Sequence, residues 1–348
     1  MNKYRTWLAV TLTIAFLPLI IIGAFNFFID PMWTFSHAHK YNHIQIAFDE
    51  RQQKTNHITF TPQHYDTLIL GSSRTTYMNQ NDLVGHKAYN YSVSGMLMEE
   101  YNGYTEYAKL KNGGDFDYIV IGLDFFVTNK NLKLENEYHP PSYYINQANG
   151  FGYRYKLLLS ADILEYSKKN YNASQRNVPV TFDYDRNNIK TLNRVPEAYR
   201  DERIRENLAR YKTDVYGNYE YRDVKKILLQ LKQNNPHSKF IIFTTPVSEP
   251  LLAVLVGENL LPDYERWLKD SVDVFGQVYN FMYPNSITAD LNNYFDGSHV
   301  YPDVEKLIAH KISGYPDDNI PADFGILLTE DNIDKQISYI DGLMEELR

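Results

Sequence analysis

A serine, an aspartate and a histidine in this chain have the types and spacing that acyl transfer requires. Ser73 lies in a Gly-Ser-Ser-Arg turn that follows a short apolar run, and Asp296 and His299 lie close together in an Asp-Gly-Ser-His segment. A serine nucleophile needs a histidine to accept its proton and a carboxylate to orient that histidine. An Asp-x-x-His loop can present both side chains to one cleft. We therefore predict that Ser73, Asp296 and His299 form a catalytic group.

Neither motif predicts chemistry when it is taken alone. A Gly-Ser-Ser turn is typical of an ordinary strand-to-helix cap, and Asp-x-x-His is typical of a surface turn that happens to carry a histidine. The turn at Ser73 is nevertheless suited to catalysis, because N–H groups at the start of a following helix point toward developing negative charge. The prediction therefore depends on the two motifs occurring together in this order.

The elements that must position these residues are visible as alternating apolar and helix-like segments. Such alternation predicts an α/β domain with a parallel sheet covered on both faces, and such a sheet carries its site at the carboxyl ends of the strands. Residues 127–220 are polar and rich in tyrosine, so we expect an inserted cap over that edge. The predicted strands are 65–71, 88–92, 117–122, 239–245 and 277–281, and the predicted helices are 98–111, 221–235, 262–275 and 304–313.

The N-terminus predicts a membrane anchor. No charged residue occurs from Thr6 to Ile29, and a helix of that length spans about 36 Å, enough to cross a hydrocarbon core of about 30 Å. Lys3 and Arg5 precede it, which favours a cytoplasmic N-terminus and an extracytoplasmic domain, periplasmic or at the cell surface. We favour an uncleaved single-pass anchor over a cleaved signal peptide, because no small-x-small site follows. A buried helix of a soluble protein is the remaining alternative.

Composition excludes several classes of function. The net charge of -8 argues against a nucleic-acid binder, which needs a basic face to neutralise phosphates. The chain has no cysteine, which excludes disulfides, thiolate metal sites and a cysteine nucleophile. His37, His39 and His43 cluster after the anchor, but no predicted strand or helix would bring them together around a metal. We expect neither a metal nor a cofactor.

The motif order resembles that of the SGNH/GDSL hydrolase superfamily. In that family a first block ends in the nucleophilic serine, a second supplies a glycine, a third supplies an asparagine, and the last is Asp-x-x-His. The resemblance places Ser73 at the nucleophile, Gly95 at the glycine, and Asp296 and His299 at the last pair. It implies a three-layer, flavodoxin-like α/β fold with an oxyanion hole formed by the Ser73 and Gly95 N–H groups. It covers about residues 65–126 and 221–313.

The third block departs from the family pattern, since Asp124 stands where the asparagine is expected. An ionised carboxylate cannot donate a hydrogen bond to an oxyanion. Asp124 would complete the oxyanion hole only if burial kept it protonated; otherwise it holds Arg74 or is structural. We favour the pairing with Arg74. Arg74 is also a candidate to bind a carboxylate or phosphate group of the substrate.

The Gly-Ser-Ser variant and the anchor resemble most the envelope branch of the family, which contains the D-alanyl transfer protein of teichoic acid synthesis and the alginate O-acetylation proteins. The resemblance implies an esterase or O-acyltransferase that passes an acyl group from Ser73 to water or to a cell-envelope glycan or polymer, beside a membrane acyltransferase partner. The alternatives are an inactive scaffold that binds a polymer or such a partner, and a lipase, although no apolar lid sequence is present. The expected domains are an anchor (1–30), a membrane-proximal segment (31–63), a hydrolase-like domain (64–313) with an insertion at about 127–220, and a C-terminal extension (314–348).

Overall fold

The computed structural model describes residues 3–61, 63–132, 138–176 and 180–348. The chain divides into two compact units. The first comprises residues 1–62 and 142–188, and the second comprises residues 63–141 and 189–348. The stretch expected to form one cap, 127–220, is thus shared between the two units.

The second unit is built on a six-stranded sheet with the strand order β2-β1-β3-β6-β7-β8. The first five strands in this order are parallel, and β8 pairs with β7 in the antiparallel sense. The predicted α/β class with a mostly parallel central sheet is confirmed. The strands of the chain are β1 (Thr67–Gly71), β2 (Ala88–Asn90), β3 (Tyr118–Leu123), β4 (Phe182–Tyr184), β5 (Lys190–Leu192), β6 (Lys239–Thr244), β7 (Gln277–Asn280) and β8 (Ile326–Thr329).

Helices supply the rest of both units. They are α1 (Lys3–Ile29), α2 (Glu50–Phe60), α3 (Glu100–Asn112), α4 (Pro141–Ala148), α5 (Tyr153–Leu157), α6 (Ala161–Arg176), α7 (Glu197–Arg210), α8 (Val224–Asn234), α9 (Glu249–Gly257), α10 (Leu261–Phe275), α11 (Ser286–Ala289), α12 (Pro302–Ser313) and α13 (Ile333–Glu345). Short 3-10 turns lie at Thr75–Tyr77, Gln80–Asp82, Phe125–Thr128 and Leu291–Asn293, and a π-helical turn at Tyr211–Val215.

Both faces of the sheet are covered. Side chains alternate along a strand, so Val120 and Ile121 point to opposite faces of β3. On one face Val120 and its neighbours form a core cluster with Ile308 and other residues of α12. On the other face Ile121 lies in register with Leu70 and Ile242, and all three are buried. The central strands are therefore apolar on both sides, which is why they appear in the sequence as continuous apolar runs.

The C-terminal stretch 314–348 contributes to this sheet. β8 lies within it and pairs with β7 from Gln277 to Asn280. The following helix, α13, buries Ile337, Ile340 and Met344. The stretch expected as an extension is thus part of the core of the second unit.

In the first unit, α1 is long and apolar enough to cross a membrane by its length and composition. The segment expected to be a polar loop contains α2, whose residues are mostly polar and yet buried. Gln53 donates to the Pro31 carbonyl oxygen and Asn56 to that of Met32, at 3.0 and 2.9 Å. A polar buried face leaves no apolar periodicity, which explains why the sequence did not predict this helix.

Candidate active site

The serine turn folds back over the end of the sheet. Gly71 is the last residue of β1, and the short 3-10 turn Thr75–Tyr77 begins four residues later. The Thr75 side chain lies directly over Gly71 and over Gly122 of β3, so that a Cβ atom at either glycine would collide with the Thr75 hydroxyl. The two glycines therefore permit the tight turn that leaves Ser73 partly accessible at the carboxyl end of β1.

The structure brings together the three residues of the predicted catalytic group. The Ser73 Oγ atom lies 2.8 Å from His299 Nε2, although the two residues are 226 positions apart in the chain. His299 Nδ1 lies 2.9 Å from Asp296 Oδ2. With its proton on Nδ1, the imidazole donates to Asp296 and its Nε2 atom accepts from the serine hydroxyl. These distances match the geometric expectation for a serine nucleophile with its base and orienting carboxylate.

The Asp296 carboxylate is held by its own loop. Its Oδ1 atom accepts hydrogen bonds from the backbone N–H groups of Ser298 and His299, both at 2.9 Å. Burial alone would raise the pKa of Asp296, but the charge of His299, its hydrogen bond and the two backbone donors outweigh burial and hold that pKa well below its usual range. The Asp296 carboxyl group is therefore ionised at neutral pH and can act as the negative partner of the His299 imidazole.

Asn207 of α7 supports this loop, and the sequence did not single it out. Its side-chain amide donates to the Asp296 carbonyl oxygen at 3.0 Å and to Ser298 Oγ at 2.9 Å. The Ser298 hydroxyl in turn donates to Asp296 Oδ1 at 3.0 Å and lies 3.2 Å from His299 Nδ1. Asn207 thus acts on the imidazole through Ser298 and Asp296. Nothing in the sequence around Asn207 marks it, because its partners are about ninety positions away.

Arg74 and Asp124 form a buried ion pair. Arg74 donates to Asp124 Oδ1 at 3.0 Å, and the side chains are only 3% and 1% exposed. The same carboxylate oxygen accepts from Thr245 Oγ1 at 2.5 Å. Arg74 also donates to the Tyr211 hydroxyl at 2.6 Å and lies over the Phe126 ring. The pairing favoured from the sequence is present, and it argues against both other roles: Asp124 is occupied as an acceptor, and Arg74 is too enclosed to contact substrate.

The Gly95 loop lies beside the serine turn. Val93 donates its N–H to the Gly71 carbonyl oxygen at 3.2 Å, which continues the pairing of β2 with β1 toward the turn. Gly95 has a φ of +61°, and a Cβ atom there would lie 2.9 Å from Tyr138 Cε2. Within the described ranges, the N–H groups of Ser73 and Gly95 donate to no backbone carbonyl oxygen. Both amides are therefore candidates to donate to a ligand.

A second carboxyl group lies buried near this site and was not predicted. Glu305 of α12 is 0% exposed, and neither of its carboxyl oxygens has a hydrogen-bond partner among the described residues. Burial, with a smaller contribution from Asp124 and against the opposing effect of Arg74, raises the pKa of Glu305 to about 8. Glu305 is therefore mostly uncharged at neutral pH, which is the form that a dry site without partners stabilises.

The histidines that follow α1 serve the end of that helix. The Nε2 atoms of His37 and His39 lie 3.1 and 2.8 Å from the Phe28 carbonyl oxygen, which a helix end leaves without an intrahelical donor. His43 Nδ1 lies 2.8 Å from the Lys40 carbonyl oxygen. Among the residues that the structure describes, no group of three or more His, Cys, Asp or Glu side chains is placed to hold a metal ion.

Comparison of the chain with protein-family models found no match, and a search of curated proteins found none either. The family assignment therefore rests on the motifs, their order and the site geometry, and it remains a proposal.

Proposed function

We propose that this protein is a membrane-anchored serine esterase or O-acyltransferase of the SGNH/GDSL type that forms an acyl-Ser73 intermediate. The observation that carries the proposal is the hydrogen-bonded series Ser73 Oγ, His299 Nε2, His299 Nδ1 and Asp296 Oδ2, with distances of 2.8 and 2.9 Å. Residues so far apart in sequence converge at the carboxyl ends of parallel strands, where doubly wound sheets carry their sites. The order of the parallel strands, β2-β1-β3-β6-β7, is the 2-1-3-4-5 order of flavodoxin-like folds and supports the family assignment.

The chemistry that this arrangement supports is a two-step acyl transfer. The Ser73 hydroxyl passes its proton to His299 Nε2 while Oγ attacks the acyl carbonyl carbon. The imidazolium, stabilised by Asp296, then returns the proton to the departing alkoxide, which leaves the acyl group on Ser73. In the second step His299 takes a proton from water or from an acceptor hydroxyl as its oxygen attacks the acyl carbon. The imidazolium then returns the proton to Ser73 Oγ as the bond between Oγ and the acyl carbon breaks, which releases the acyl product and restores both residues.

The oxyanion of each tetrahedral intermediate needs donors, and the N–H groups of Ser73 and Gly95 are the candidates. Asp124 has no part in this proposal, because its carboxylate is occupied by Arg74 and Thr245. We therefore explain the aspartate at the family's asparagine position by its ion pair with Arg74, the residue that follows Ser73 in the turn. An aspartate in place of the family asparagine would favour an inactive scaffold if nothing else required it, and the ion pair with Arg74 supplies another reason for it.

The acceptor that we propose is a hydroxyl of a cell-envelope glycan or polymer. The apolar helix α1 would hold the domain beside polymers made at the membrane, outside the cytoplasm. A membrane acyltransferase is the partner that the envelope branch implies. Water is the competing acceptor and would make the protein an esterase.

The test is reaction of the full chain, in detergent or nanodiscs, with a serine-directed fluorophosphonate, followed by peptide mapping of the label. We expect the label on Ser73, no labelling of Ser73→Ala or His299→Ala, and no further loss in the double variant, because the residues act as a unit. Ser72→Ala is the matched control, since Ser72 is the neighbouring hydroxyl in the same turn and should not be needed. If the folded wild-type protein is not labelled, the proposal of an enzyme fails and a binding scaffold becomes the better interpretation.

A further inference from the structure

An apolar cleft in the first unit lies between α1 and the end of α5. The Leu159 side chain lies against Gly23: a Cβ atom at Gly23 would be in ordinary van der Waals contact with Leu159 Cδ2, at 3.6 Å. Asn26 fixes the contact by donating to the Leu158 carbonyl oxygen at 2.9 Å. The cleft has a volume of about 530 Å³. None of its lining residues is charged: they are Phe16, Leu19, Ile20, Gly23, Ala24, Phe27, Tyr155, Leu158 and Leu159.

A cluster of aromatic and histidine side chains lies at the C-terminal end of α1, next to the cleft. Phe28 stacks on His39 with ring centroids 4.3 Å apart, and Phe27 lies edge-on to Phe35 at 4.8 Å. Tyr41 lies beside the same group, with its ring centroid 5.9 Å from that of Phe28. Tyrosine is enriched at membrane–water interfaces, and histidine likewise combines an apolar body with a polar tip, so this cluster suits the end of a membrane-spanning helix. Gly23 is about 7.5 Å from Phe28 along the helix axis. With Phe28 at the interface, Leu159 would lie within the roughly 5–10 Å that interfacial segments reach into the headgroup and acyl boundary.

The same segment exposes apolar side chains away from α1. Tyr155 is 63% exposed and Leu159 is 56% exposed. Lys156, between them, is also exposed and has a stem long enough to bring its ammonium to the headgroup level. An apolar cleft continuous with an apolar helix would be costly in water, whereas lipid tails would cover both at once.

We propose that the segment 155–159 is a second membrane contact, which inserts into the outer leaflet beside α1 while lipid acyl chains occupy the cleft. This inference rests on the anchor in the proposed function and adds to it. One helix alone leaves a domain free to rotate about its axis and to tilt. A second contact fixes the first unit in one orientation against the bilayer.

The absence of cysteine makes the test direct, because a single introduced cysteine carries the only label. Leu159→Cys would be labelled with an environment-sensitive fluorophore in the full chain, reconstituted in nanodiscs at one copy per disc. Leu19→Cys in α1 is the positive control, and Leu110→Cys in α3, where Leu110 is 72% exposed, is the matched aqueous control. Quenching by nitroxide-labelled lipid and by aqueous iodide is then compared between the three positions.

We expect the label at residue 159 to be quenched by lipid nitroxide several-fold more than the label at 110, and to a degree similar to that at 19. If position 19 is lipid-quenched while 159 is quenched by iodide like 110, this inference is overturned and the anchor stands. If position 19 is itself reached by iodide, the anchor fails. Shielding of position 159 from both quenchers would point to a protein partner or a second copy, which also overturns the inference. Tyr155→Cys provides an independent reading if Leu159→Cys does not fold.

Discussion

At the residue scale, the amide of Asn207 has a specific effect to test. Asn207→Ala removes the two hydrogen bonds that this side chain donates to the Asp296–His299 loop. We expect the rate of fluorophosphonate reaction with Ser73 to fall by roughly tenfold or more, since small displacements of catalytic groups are costly. Asn207→Asp loses the two N–H donors as well and places a charge beside Asp296, so it should be no better than alanine.

The control for this prediction is Arg203→Ala, which alters an exposed side chain of the same helix, paired with Glu206 at 3.1 Å. A merely structural effect would lower the melting temperature and leave the pH profile of the reaction rate unchanged. A positioning role predicts a changed pH profile at unchanged melting temperature. Equal rates for Asn207→Ala and wild type across pH would remove Asn207 from the site.

The Arg74–Asp124 ion pair predicts an asymmetric mutational response. Asp124→Asn leaves the buried guanidinium without a counter-charge, and breaking a buried pair in this way typically costs about 3–5 kcal/mol of unfolding free energy. Replacing both partners, as in Arg74→Met with Asp124→Leu, removes the uncompensated charge and should be more stable than Asp124→Asn alone. Chemical denaturation of the full chain in detergent measures both. A loss below about 0.5 kcal/mol for Asp124→Asn, the usual range for a surface change, would contradict the pairing.

The sequence predicted the members of the proposed catalytic group better than the residues that support them. Ser73, Asp296 and His299 occur in short motifs, and the spacing within each motif already restricts where its side chains can lie. Asn207 and Glu305 have no such motif, because their significance depends on neighbours that only the folded chain supplies. The asparagine missing at position 124 was visible in the sequence, but its replacement by an ion pair could only be suspected.

At the element scale, α12 carries Glu305 on the face that packs against the sheet. The pKa of Glu305 is about 8 in the folded chain and lies near 4.5 when unfolded. Between these values the folded state keeps a proton that the unfolded state has lost, so the free energy of unfolding falls as pH rises through that window. Glu305→Gln has no proton to lose. We expect its stability advantage over wild type to grow from pH 5 to pH 8, by an amount on the order of a few kcal/mol.

Thermal or chemical unfolding of both proteins across that pH range measures the difference. Asp303→Asn in the same helix is the control, because Asp303 is an exposed partner of Arg194 and its change should leave the slope unaltered. Parallel curves for Glu305→Gln and wild type would show that Glu305 does not titrate in the window.

The Gly95 loop can be tested with a matched pair of glycines. Gly95 and Gly113 both have positive φ, +61° and +80°, so alanine strains the backbone at either position. Only Gly95 has a neighbour in the way, since a Cβ atom at Gly113 would meet nothing within 4 Å. We expect Gly95→Ala to lower the rate of Ser73 labelling far more than Gly113→Ala does, and by more than its greater loss of melting temperature explains. Equal effects would mean that the Gly95 loop contributes only to stability.

The central strands were the most predictable elements, and a helix with a polar buried face was not predicted. β3 and β6 were placed within a residue or two, because central parallel strands are apolar on both sides. α2 was missed because its buried residues are mostly polar and contact backbone carbonyls. β8 and α13 were missed because residues 314–348 begin with a polar stretch that resembles a tail.

At the scale of the whole molecule, the chain builds the first unit from two separate segments. Residues 142–188 join residues 1–62, so the first unit is not complete until the second segment has been made. The contacts that close it have large sequence separations, 92 positions between Gln52 and Tyr144 and 132 between Asn26 and Leu158. The continuous order of domains expected from the sequence could not reveal this, because apolar runs locate elements and not their tertiary partners.

Because Ser73 and His299 are far apart in the chain, the ribosome adds them at different times. The two residues are 226 positions apart, and a ribosome adds about 5–20 residues per second. The serine therefore emerges roughly ten to forty-five seconds before the base that would activate it. Under the proposed mechanism the nascent chain carries an ordinary, unreactive hydroxyl during that interval, and Ser73 becomes reactive only when the last parallel strand and the loop after it have been added. A chain that stalls before residue 299 would then be unable to attack any ester it meets.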